Sequence, residues 1–88
     1  MNRAEALSAA LVAQLRRELT EKGRTQSELS EKLGIHPVTM NLYPKGRRHI
    51  PMPTFFLLAD ELGMTPSDLL GAAESRVAAA SPEGRGTV

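Results

Sequence analysis

Lys45, Arg47 and Arg48 fall within one short stretch, with Gly46 among them and His49 beside them, and form the densest run of basic side chains in the sequence. The chemistry within reach of such a run is the holding of anions, phosphate above all, through charge-assisted hydrogen bonds. Its plain alternative is a solvated surface loop. No second constellation competes with it. The chain has no Cys, and His36 and His49 are its two His, so no metal-ligand set can be assembled. Ser, His and acidic residues are present, but none at a spacing that makes a nucleophile motif. A chain of 88 residues is also short for an enclosed pocket, so no catalytic residue is expected. Met40, Met52 and Met64 read as core or loop filler and imply no cofactor.

The elements that must position the basic run lie just before it. Thr25 is an N-cap residue, and Glu28 stands three residues on, where its carboxylate reaches back to the cap; this is a capping box ahead of an apolar run. Leu29 and Leu33 share one helical face, and Gly34 then ends the helix because the left-handed backbone is open to it. Ile35 points back to the core, and Pro37 suits the first turn of the next helix. The spacing predicts helices over about 26–33 and 37–43, with Pro44 cutting the second one short. A helix, a Gly turn and a second helix form the unit that places its second helix in the DNA major groove.

Around that unit the pattern predicts three more helices and no strand. Asn2 and Glu5 open a long first helix that runs to about Lys22, with Leu7, Leu11, Leu15 and Leu19 on one stripe. It is longer than core packing alone requires. A fourth helix is expected over about 54–62, from Phe55, Leu58, Ala59 and Leu62. Thr65, Pro66 and Asp68 cap a fifth through Leu70, ending before Gly71. The Ala-rich stretch 72–80 adds at most a weak turn or two, and residues 81–88 have no apolar period and are expected to be disordered. The division is therefore a folded domain over 1–71 and an extension over 72–88.

The net charge of +1 conceals an uneven distribution: residues 1–49 are net basic and residues 50–88 net acidic, so the basic half holds the two-helix unit. No apolar run approaches the roughly 18 residues of a membrane span, and Arg3, Glu5, Arg16 and Arg17 interrupt the N-terminus too often for a secretory signal. A cytoplasmic location is expected.

Residues 15–71 resemble the phage repressor and Cro family, the XRE-like helix-turn-helix family. The resemblance rests on Gln26, Leu29, Gly34 and Ile35, then Met40 and Gly46, then Ala59 to Met64 with Asp68, Leu69 and Leu70. It implies an all-α, five-helix, lambda-repressor-like fold and a bacterial or phage regulator of transcription acting on double-stranded DNA. Carried over, Gln26 is a phosphate contact with Ser27 beside it. Pro37, Val38, Thr39, Asn41 and Leu42 face the groove, and His36 stands at their edge as a donor. Lys45, Arg47 and Arg48 hold the backbone. Two family positions depart together: Leu19 replaces an Arg and Pro44 replaces a Glu that commonly form a partly buried ion pair. Losing both charges leaves neither unpaired. Pro37, Val38 and Leu42 cannot form bidentate base contacts, so thymine methyl groups and DNA shape are expected to carry part of the specificity.

One short recognition helix reads few base pairs, so a weak homodimer completed on a palindromic operator is expected. The surfaces for it are the surplus of the first helix and the off-stripe pair Phe56 and Leu57, with the fifth helix as the alternative. A reading from a different class is an antitoxin or other protein-interaction module on the same fold. No small-molecule ligand, cofactor or metal is implied.

Overall fold

A computed structural model describes residues 2–80, which contain five helices and no strand: α1 (Arg3–Glu21), α2 (Gln26–Leu33), α3 (Pro37–Leu42), α4 (Met52–Glu61) and α5 (Pro66–Ala80). The expected disordered tail, 81–88, lies outside the described residues. The helix starts follow the cap chemistry. The Glu5 N–H donates to Asn2 Oδ1 at 2.8 Å, and the Asp68 N–H to Thr65 Oγ1 at 3.1 Å. At α2 the capping box is complete, with Glu28 N–H on Thr25 Oγ1 (3.1 Å) and Thr25 N–H on Glu28 Oε1 (3.0 Å).

Four expectations are corrected. Helix α4 begins at Met52 rather than 54, with Pro51 as its N-cap and Pro53 in its first turn. First-turn N–H groups have no helical partner, so prolines there cost nothing in hydrogen bonds. Met52 is consequently exposed and fills neither core nor loop. Helix α5 does not stop before Gly71: it runs unbroken through Gly71 to Ala80. An interior Gly costs a helix about 0.5–1 kcal/mol, and the packing of α5 along α1 offsets it. The 72–80 stretch is thus the second half of α5 rather than a weak turn or two.

Pro44 does not by itself end the coil of α3. The backbone keeps turning through Tyr43 to Gly46, where Gly46 N–H meets Tyr43 O (3.0 Å) and Arg47 N–H meets Leu42 O (3.1 Å). Gly46 has φ +68°, so the left-handed residue there makes the stop. Gly34, with φ +67°, does the same between α2 and α3, and Ile35 N–H bonds Ser30 O at 3.0 Å.

The core joins Leu15 and Leu19 of α1 with Leu29, Met40, Tyr43, Leu58 and Leu62, and Ile35 packs against it as expected. Pro44 is buried as well. A second cluster, Phe55, Ala59 and Leu69, is flanked by Leu11 and Ile50. Helices α1 and α5 form the largest contact between helices. Arg76 Nε donates to Gln14 Oε1 at 2.7 Å, and Arg3 Nη2 stands 3.7 Å from Glu74 Oε2. The surplus length of α1 therefore finds a partner in its own chain.

Candidate nucleic-acid interface

Burial of Met40 and Tyr43 fixes the rotation of α3. At about 100° per residue, Val38 and Leu42 then fall on the side away from Met40, with Asn41 between that side and the flank. Val38 is 63% exposed, Pro37 and Asn41 are exposed, and Thr39 and Leu42 are half-buried. Of these five, Val38 and Leu42 face outward, and Pro37, Thr39 and Asn41 lie on the flanks of one short helix. Gln26 and Ser27, half-buried and exposed, open α2. The capping box already occupies the Thr25 and Glu28 N–H groups, which leaves those of Gln26 and Ser27 to face an incoming group.

His36 has a local duty. It is the N-cap of α3, and its Nδ1 accepts from Val38 N–H at 3.2 Å. A neutral ring in that arrangement carries its proton on Nε2, which is the nitrogen left to donate outward.

The clearest electrostatic feature is a division among the basic residues. Arg3, Arg17, Lys22, Arg24 and Lys32 each pair with a carboxylate. Lys45, Arg47 and Arg48 are exposed and meet no carboxylate among the described residues, and His49 is exposed beside them. Phe56 and Leu57 are 47% and 44% exposed on α4, with Leu70 of α5 also exposed.

The support behind this surface includes a contact that spacing cannot show. Arg24, in the turn before α2, donates from Nη1 to the Glu61 carbonyl (2.6 Å) and from Nη2 to Glu61 Oε1 (2.8 Å). Lys32 Nζ reaches the same carboxylate at 3.2 Å. The hydrogen bond from Arg24, and then that from Lys32, hold the Glu61 carboxyl below its ordinary range. Both ends of α2 are thereby tied to the end of α4.

A helix-turn-helix family model matches residues 15–69, from the middle of α1 into α5. No curated protein and no solved structure gives a match to the chain. With most of its folded length matched, the chain belongs to the XRE-type helix-turn-helix family, whose members are DNA-binding regulators. Among the described residues no helix is long and apolar enough to cross a membrane.

Proposed function

We propose that the chain is a sequence-specific transcription regulator of the Cro/repressor kind, from a phage or bacterium, that lays α3 in the major groove of a double-stranded operator. The observation that carries this is the placing of the uncompensated basic loop directly after the outward face of α3. Lys45, Arg47 and Arg48, with Gln26 and Ser27, bind phosphates and set the register; they carry no sequence information themselves. Asn41 and Thr39 hydrogen-bond base edges, Val38 and Leu42 touch thymine methyl groups, and His36 donates from Nε2. The folded unit extends past residue 71 to the end of α5.

A two-fold dimer on a palindromic site, with half-sites about one helical turn or roughly 34 Å apart, supplies the readout that one helix lacks. Phe56 and Leu57 are its apolar surface. The protein then works in the bacterial cytoplasm, on the nucleoid.

The test is capture of bound fragments from the source genome, followed by titration of the selected duplex and of random duplex across a salt series. The expected result is tighter binding of the selected sequence, with log affinity falling by about 0.9 per neutralised phosphate for each decade of salt. Sedimentation with that duplex should show two protomers per site. Absence of salt-dependent binding to any duplex would reject the proposal in favour of a protein-interaction module.

A further inference from the structure

The loop cations have a fourth companion on a different element. Of the basic residues on α1, Arg3 and Arg17 meet carboxylates, whereas Arg16 is exposed and meets none among the described residues. Helical spacing explains this: the residues four before and four after Arg16 are Val12 and Thr20, neither of them acidic. The same spacing fixes where Arg16 faces. Val12 lies on its stripe one turn earlier, and a Cβ built on Gly46 would stand 3.9 Å from Val12 Cγ1. That stripe is therefore the one on which the 45–50 loop rests. Arg16, Lys45, Arg48 and His49 line a single open groove between α1 and the loop, with Glu5 its one acidic wall residue.

We propose that this groove is a phosphate seat, in which Arg16 holds a backbone phosphodiester from the α1 side while Lys45 and Arg48 hold it from the loop. The proposal rests on the DNA-binding function above and adds a contact outside the helix-turn-helix unit. The electrostatics favour it. Like charges gathered along one groove repel, a phosphodiester between them removes that repulsion, and its release of counterions adds to the driving force. Arg16 also differs from the loop residues in standing on a 19-residue helix. It offers its charge from a fixed position, against which the loop can close.

The experiment uses the full chain and a short random-sequence duplex, titrated across a salt series by fluorescence anisotropy. Arg16→Gln should weaken binding several-fold at low salt and lower the salt slope by about 0.9, with its thermal melt unchanged. Arg17→Gln, one residue on and already paired with Glu21, should change both far less. Glu5→Gln should tighten binding, a gain that no structural role of Arg16 would produce. If Arg16→Gln matches wild type while Arg47→Gln loses affinity and slope, the seat is rejected and DNA binding stands. Equal losses from Arg16→Gln and Arg17→Gln would reject it too, in favour of a diffuse field from α1. If wild type shows no salt-dependent duplex binding, the function proposed above falls first and the seat with it.

Discussion

Arg24 and Glu61 hold one another twice, through a 2.8 Å contact between guanidinium and carboxylate and a 2.6 Å hydrogen bond from the same guanidinium to the Glu61 backbone carbonyl. Each side chain is about 20% exposed. The carbonyl belongs to the last turn of α4, where such groups lack helical partners, so Arg24 serves as a cap for α4 as well as a counter-ion. Lysine cannot do both, because its single ammonium lacks the planar fork. Arg24→Lys should therefore lower the melting temperature by nearly as much as Arg24→Ala.

The same pair gives stability a pH dependence with a definite sign. The fold lowers the Glu61 pKa below its ordinary 4.5, and Arg24 is the main cause. A carboxylate of this kind stabilises the fold fully above its unfolded pKa, and the contribution is lost as pH falls through the folded value. Thr25 and Lys22 depress Glu28 and Glu18 in the same direction. The melting temperature should fall as pH drops below about 4.5. Glu61→Gln should melt lower than wild type at neutral pH and converge on it in acid. Parallel curves for the two proteins would show that Glu61 does not carry this dependence.

Gly71 is a site for stabilisation. It lies within α5 without a positive φ, and a Cβ added there meets nothing within 4 Å. Gly71→Ala should stabilise by about 0.5–1 kcal/mol, from reduced freedom of the unfolded chain and better helix propensity. In a domain of this size that is a rise of roughly 2–8 °C in melting temperature, readable by circular dichroism. A fall would mean that the second half of α5 is not helical in solution.

Ser30 is buried in α2, and its hydroxyl finds no partner among the described residues. A buried hydroxyl without a hydrogen bond costs about 1–3 kcal/mol of desolvation, which removal of the oxygen returns. Ser30→Ala should therefore be neutral or stabilising by about 1 kcal/mol in denaturant titrations, with helix propensity adding to the effect.

Base discrimination should divide along α3. Asn41→Ala should cost about 1–3 kcal/mol on the selected operator and far less on random duplex. Val38→Ala should act only where a thymine lies beneath it, and replacing that thymine with uracil in the wild-type complex should reproduce the loss. Equal losses on both duplexes for Asn41→Ala would assign that side chain to the phosphate backbone.

What the sequence shows well is whatever closes within about four residues. The capping box at Thr25, the side-chain cap from Thr65, the Gly34 turn and the inward stripe of α1 all rest on such contacts, and all stand in the structure. Where long-range packing decides, the local pattern misleads. Gly71 looks like a stop, but α1 holds the helix through it. Met52 follows a proline, but the fold takes it as a first helical residue. Arg24 and Glu61 lie 37 positions apart, beyond any spacing rule. The outward face of α3 follows from the inward position of Met40. The missing signal for Arg16 lay in the sequence all along, in the absence of acids at helical spacing from it.

The openness of the 45–49 loop also bears on the lifetime of the molecule. Proteases that cut after basic residues need accessible backbone outside helices, and the bonds after Arg47 and Arg48 offer it where Arg16 and Arg17 are locked in mid-helix. A protomer off the DNA exposes these two adjacent bonds, and on the proposed mode of binding a protomer on the DNA covers them. On that mode of binding, a selected duplex should slow cleavage after Arg47 and Arg48 in a limited digestion of the full chain, while Arg16 and Arg17 stay protected by their helix with or without DNA.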